Sequence, residues 1–270
     1  MDDGLADALL DLQRLTERLR RECPWDREQT AKTIVPHTVE EAYEVADVAL
    51  AGDGAKLVDE LGDLLFQTFF LALTLQEKGL GDLEAVARGV QAKLVRRHPH
   101  VFGDAEARTA DRVRERWEAI KRDEEAREGV FHHVPETLPA LLYARKVQRR
   151  AAAVGFEYPD LESRFAHLHA ELEELKAEIE RTGAPAPETE PDPEVFDEVG
   201  DVLFLTVNVA MRLNVDPELA LRRAAQKFTG RVEAAERLAA ERGERWSALP
   251  LEDQDRYYDE AKEELRERYR

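Results

Sequence analysis

The sequence predicts an all-α protein built as a tandem duplication of one helical unit. Apolar residues recur at three- and four-residue steps along almost the whole chain, the period of a helix with one buried stripe. No run shows the strict alternation of a half-buried strand. Glu60-Leu61-Gly62-Asp63-Leu64-Leu65-Phe66 returns as Glu198-Val199-Gly200-Asp201-Val202-Leu203-Phe204.

In chain order, Leu5, Leu9, Leu12, Leu15 and Leu19 form the stripe of a first helix. It ends before Cys23-Pro24, where proline cannot continue the ladder. Pro36 precedes a second helix, predicted from Thr38 to Leu50 and closed by Ala51-Gly52-Asp53-Gly54. A third, from Ala55 to Lys78, is apolar nearly all round, the profile of a central core helix. Asp82 caps a fourth, carrying Leu83, Val86, Val90 and Leu94, and a fifth covers Ala110 to Glu128. The plan then repeats, with helices over Leu138–Val154 and Leu161–Thr182. A third helix, opened by Asp192-Pro193, is again apolar nearly all round. A long fourth runs from Asp216-Pro217 to Arg242, and a last is opened by Pro250. The segment from Gly183 to Pro193, GAPAPETEPDP, is a polar, proline-rich loop.

The correspondence extends beyond the central element. Glu41-Ala42-Tyr43-Glu44 matches Glu171-Leu172-Glu173-Glu174, and Trp25-Asp26 takes the place of Phe156-Glu157. Lys93 and Arg97 match Lys227 and Arg231, and Trp117 with Lys121 matches Tyr258 with Lys262. Offsets run from 130 to 141, so the order is kept while loops differ. The boundary falls within 126–137, giving expected domains of 1–128 and 129–270.

Composition narrows the function. The 270 residues include 39 Lys and Arg against 58 Asp and Glu, a formal charge of −19. That balance argues against a nucleic-acid polymer or an anionic membrane surface as partner. A small anion is still admissible if a metal ion and a few placed cations collect it. The single Cys23 makes no internal disulfide and fits a reducing compartment. No cationic stretch precedes an apolar one at the N-terminus, so no signal peptide is expected. The apolar region Leu64–Leu75 is too short to span a bilayer and is interrupted by Gln67, Thr68 and Thr74. A cytoplasmic protein is expected.

The chemistry resides in the acids. Positions three apart share a helix face, so Glu41/Glu44 and Glu60/Asp63 each point one way, and two antiparallel helices bring the four carboxylates together. The second set is Glu171, Glu174, Glu198 and Asp201. Oxygen ligands without histidine or thiolate suit Mg²⁺, with Mn²⁺ a possible substitute. Acids inside otherwise apolar helices need a cation or an equivalent partner. Gly62 and Gly200 sit mid-helix at a cost of about 1 kcal/mol against Ala and suggest close approach of a backbone or ligand. Lys227, Arg231 and Lys262 could hold phosphate oxygens, as could Lys93, Arg97 and Lys121 in the first copy. Trp117 and Tyr258 either stack on a base or pack in the core. The histidines of His98-Pro99-His100 and His132-His133 lack a matched partner in the second copy, so zinc is not expected.

Several stretches resemble one family. CPWDREQT at 23–30, VEEAYEV at 39–45, DELGDLLFQ at 59–67, KLVRRHPHVFGD at 93–104 and RWEAIK at 116–121 are similar to MazG nucleoside triphosphate pyrophosphohydrolases. ALLYARKVQRRAAAVGFEY at 140–158, DEVGDVLFLTVNVA at 197–210 and KFTGR at 227–231 resemble the C-terminal repeat of the two-domain members. The resemblance implies helical bundles that pair in a homodimer. It also implies Mg²⁺-dependent hydrolysis of nucleoside triphosphates to monophosphate and pyrophosphate, with broad base tolerance and a house-cleaning role. Ala170 stands before Glu171 where the family usually has a second acid. In addition, 23 residues separate the second copy's acidic pairs against 15 in the first.

On this reading Glu171, Glu174, Glu198 and Asp201 bind the metal, and a carboxylate of Glu171/Glu174 orients or deprotonates the attacking water. Lys227, Arg231 and Lys262 offset phosphate charge. The second copy is favoured as the main catalytic unit, because Asn208, two turns beyond Asp201, could contact sugar or base where the first copy has Phe70. A noncatalytic nucleotide sensor and a helical interaction protein remain open. A di-iron bundle is disfavoured for want of Glu-x-x-His.

Overall fold

The computed structural model describes residues 3–103, 109, 112–113, 117, 120, 129–131, 134–183 and 190–266. The chain divides into two compact units, Met1–Arg122 and Asp123–Arg270, and every regular element among the described residues is helical. Most of the helix expected over 110–128, including Lys121, lies outside the described residues, as do His132, His133 and 184–189 of the proline-rich loop. No helix among the described residues is long and apolar enough to cross a membrane.

The first unit contains α1 (Asp3–Glu22), α2 (Pro24–Glu28), α3 (Ala31–Ala51), α4 (Gly54–Glu77), α5 (Leu83–Arg97) and α6 (Pro99–Phe102). Its centre is the α3–α4 hairpin. The turn is only Gly52-Asp53. Gly52 takes a left-handed conformation, φ 75°, which favours glycine. The Asp53 carboxylate then caps α4 by accepting from the Lys56 N–H at 3.1 Å. Arg20 of α1 fastens the neighbours: it pairs with Glu77 of α4 at 2.7 and 2.8 Å and donates to the carbonyls of Asp26 and Gln29.

Two expectations need correction here. The second helix begins at Ala31, not Thr38, and carries Pro36 inside it. Thr30 and Thr33 exchange side-chain-to-backbone bonds in a capping box, and Ile34 is buried. Cap and packing together outweigh the one helical bond that proline removes. Nor is α4 covered on all sides: Phe69, Phe70 and Ala72 are buried in its C-terminal half, while Val58, Leu61 and Leu65 on one N-terminal face stay exposed.

The second unit contains α7 (Ala140–Ala152), α8 (Leu161–Thr182), α9 (Pro193–Arg212), α10 (Pro217–Glu241) and α11 (Leu251–Glu264), with a 3₁₀ turn at Trp246–Ala248. Helices α8 and α9 pair as α3 and α4 do, and α7 packs on α9. Asp160, Asp192 and Asp216 cap α8, α9 and α10. Arg181 spans the end of the α8–α9 connection, with Glu178 at 2.6 Å, Asp192 at 3.7 Å and Glu194 at 3.9 Å. Helices α10 and α11 form a separate small core of Ala234, Ala235, Ala239, Tyr257 and Ala261. The expectation for α9 is corrected as for α4: Phe196, Val199 and Leu203, at the matched positions, are exposed.

Candidate metal centres

Each helical hairpin carries an acidic cluster at the same level. In the first unit Glu41 of α3 and Glu60 and Asp63 of α4 each place a carboxylate oxygen within 4.8 Å of the others. In the second, Glu171 of α8 with Glu198 and Asp201 of α9 does the same. In each triad the glutamates are half-buried and the aspartate exposed. Glu44 and Glu174 are exposed and stand outside these closest sets. They still belong to the clusters electrostatically, since Glu44 is the strongest acidic neighbour of Glu60 and Glu174 that of Glu198.

This crowding raises proton affinity. Glu41, Glu60, Glu171 and Glu198 are all pushed above the ordinary carboxylate value, first by desolvation and then by the carboxylates around them. His167 works the other way on Glu171. Glu198 Oε2 is fully shielded from solvent and has no hydrogen-bond partner. A buried acceptor left unpaired costs about 1–3 kcal/mol, more when charged, and a cation would satisfy it. The donor set therefore fits a hard divalent ion.

Linkage makes this testable. A carboxyl whose folded pKa is raised contributes stability below its ordinary value, and that stability is lost as pH rises through the folded value. Without metal, the clusters therefore weaken the fold toward neutral pH. Mg²⁺ at about 5 mM is expected to raise the melting temperature more near pH 8 than near pH 5. An equal shift at both pH values, or none, would remove the acids as its binding place.

No other part of this chain approaches Gly62 or Gly200 closely: a Cβ at either position would meet nothing within 4 Å. Each leaves open space on the acid-bearing helix. The cations also stand elsewhere. Among the described residues no ion pair joins Lys227, Arg231 or Lys262 to the acids, because α10 and α11 pack chiefly on each other. Lys227 and Arg231 are half-buried, Lys262 is exposed, and Arg231 Nε is shielded without a hydrogen-bond partner. Tyr258 packs beside the α10–α11 core, 5.9 Å from the Phe228 ring. In the first unit Lys93 is exposed. The Arg97 guanidinium lies 5.7 Å from the Trp117 ring, which meets His98 edge-on at 4.8 Å.

Asn208 is not a free surface amide. It is buried, accepts a hydrogen bond from Arg164 Nη1 and donates to Gln148 Oε1 at 3.0 Å. Gln148 in turn donates to the Phe204 carbonyl at 2.7 Å. Arg164 and Gln148 were missed by sequence reasoning. The available signal was register: Arg164 precedes Glu171 by the same seven residues by which Ile34 precedes Glu41.

Residues 29–102, which include the first cluster, match the MazG nucleotide pyrophosphohydrolase domain. Over 95% of its length the chain is 38% identical to the nucleoside triphosphate pyrophosphohydrolase of Escherichia coli K12, covering 96% of that protein. The chain belongs to the MazG family. A second MazG relative, the nucleoside triphosphate pyrophosphohydrolase/pyrophosphatase of Thermotoga maritima, is 36% identical over 93% of this chain and 94% of its own. A solved mazG-related protein from Thermotoga maritima aligns with 42% of the chain and 97% of its own length, at 28% identity and a TM-score of 0.37.

Proposed function

We propose that the chain hydrolyses nucleoside triphosphates to monophosphate and pyrophosphate with Mg²⁺, and that the second unit is the main catalytic domain. Near-full-length identity to proteins named nucleoside triphosphate pyrophosphohydrolases supports the reaction class. The observation that carries the site is the Glu171–Glu198–Asp201 triad with its shielded, unpartnered Glu198 oxygen. Those three residues would hold the ion, which when bound supplies Lewis-acid neutralisation of phosphate charge. Glu174, exposed and outside the triad, orients a water and takes its proton. The water oxygen bonds to the α-phosphorus as the bond to the bridging oxygen breaks, and the pyrophosphate leaves with that electron pair. Arg231, with donor capacity unspent at Nε, and Lys227 and Lys262 are assigned to phosphate oxygens farther from the acids.

Broad base tolerance, a house-cleaning role and a cytoplasmic location belong to the same proposal, as does a homodimer. The matched exposed stripes Val58/Leu61/Leu65 and Phe196/Val199/Leu203 support pairing, since apolar surface of that kind gains by being covered. The test is pyrophosphate release from a panel of common nucleoside triphosphates plus dITP, in Mg²⁺ and then in EDTA. Metal-dependent pyrophosphate and monophosphate are expected. Orthophosphate would mean that another bond is cut, and binding without any product would favour a nucleotide sensor.

A further inference from the structure

Two turns from the acids the two units part company. On α8 the position seven residues before Glu171 is Arg164, and on α9 the position seven after Asp201 is Asn208. The two helices run antiparallel, so both steps lead the same way, about 10 Å along the axis at 1.5 Å per residue. The Arg164–Asn208 hydrogen bond closes that level. In the first unit the same register holds Ile34 and Phe70, both buried and apolar. A hairpin that keeps its acids but replaces an apolar pair with a buried arginine and amide carries a desolvation cost that its sibling avoids.

Beside that level lies a cavity of about 380 Å³, near the small end of ligand sites. Its lining includes Phe156, Tyr158 and Phe204 together with the buried carboxamides of Gln148 and Asn208. Phe156 is 83% exposed, leaving an aromatic face open for stacking. The polarity of the amides is fixed from both ends. Arginine only donates and a backbone carbonyl only accepts, so the chain must run from Arg164 to Asn208 to Gln148 to the Phe204 carbonyl. Each carboxamide is left with one N–H beyond these bonds.

We propose that this relay determines specificity: Arg164, a positioning residue, holds Asn208 and Gln148 so that the cavity meets a nucleobase with N–H donors and takes the edge bearing carbonyl or ring-nitrogen acceptors. The proposal rests on reading the second unit's acids as the triphosphate site. Metal and phosphates occupy the acid level and the base the relay level, two turns apart on the same two helices. The first unit, with Ile34 and Phe70 there, offers a base no such donors.

Titration calorimetry of the full chain with Mg²⁺, using the α,β-methylene analogues of ATP, GTP, CTP and UTP, which cannot be cut at that bond, and, separately, inorganic tripolyphosphate, tests this without turnover. Gln148→Met removes the spare Gln148 donor and the carbonyl that fixes the Asn208 amide, while Arg164 and Asn208 stay paired. The double variant Arg164→Ile/Asn208→Phe copies the first unit and guards against a fold made unstable by one change. Both are expected to weaken nucleotide binding by roughly 10-fold or more while tripolyphosphate binding stays within about 2-fold. The relay has no such role if folded variants bind nucleotides as the unaltered chain does, or if nucleotide and tripolyphosphate weaken together. The same holds if the unaltered chain binds the two equally. Nucleotide binding that shows the expected split in a chain releasing no pyrophosphate would uphold the relay and overturn only the hydrolytic reading.

Discussion

Alanine at Glu198 is expected to lower pyrophosphate release by about 10³-fold or more, while alanine at Glu60 leaves most of it. The two residues hold equivalent places, so the comparison weighs one unit against the other rather than acid against apolar residue. Glu198 has the shielded oxygen without a partner, and its removal deprives an ion of that ligand. Steady-state pyrophosphate assays on both variants decide the matter, and the reverse ranking would sink the assignment to the second unit. A companion measurement separates lost chemistry from lost structure. In EDTA near neutral pH, Glu198→Gln should melt slightly higher than the unaltered chain, because Glu174, Glu171 and Asp201 oppose the charge at that position. An inactive variant that is also more stable cannot owe its inactivity to unfolding.

The largest effect on stability is expected at Asn208. Its replacement by leucine leaves the Arg164 guanidinium, whose side chain is 2% exposed, with Glu157 at 3.4 Å and the Tyr158 carbonyl at 3.2 Å as its remaining hydrogen-bond partners among the described residues. Stranding one member of a buried charged network costs about 3–5 kcal/mol, a fall of roughly 10 °C in melting temperature for a unit of this size. Arg164→Ile/Asn208→Phe should recover most of that loss, since Ile34 and Phe70 are buried at the same register in the first unit. Thermal melts of the single and double variants form a cycle, with an expected coupling of more than about 1.5 kcal/mol. A single variant within about 0.5 kcal/mol of the unaltered chain would show that the contacts are incidental.

The acids were legible in the sequence because helical spacing is a local property. Glu60 and Asp63 must share a face wherever the helix goes, and the second copy repeats the pattern. Depth is not local. Spacing could not say that Glu41 would join the closest set and Glu44 stay outside it, since that depends on the angle at which α3 meets α4. Arg164 was passed over because an arginine in an acidic helix reads as solvated charge, and only the contacts with Asn208 of α9 and with Glu157 and Tyr158 make it interior. The same limit explains Lys227 and Arg231. Sequence order relates them to the acids, but the α10–α11 core decides where they point. Pro36 misled in the opposite direction, because the Thr30–Thr33 cap and the burial of Ile34 lie upstream of the break that proline suggested.

The placing of acids and relay on different turns of α8 and α9 has an evolutionary consequence. Sites more than about 7–10 Å apart with no shared partner respond to substitution almost independently. Selection can therefore alter which nucleotide is preferred by changing Arg164, Asn208 or Gln148 while the carboxylates drift hardly at all. The reverse holds for the carboxylates. Two hairpins with matching acids widen that freedom, since one can explore a new lining while the other keeps its carboxylates.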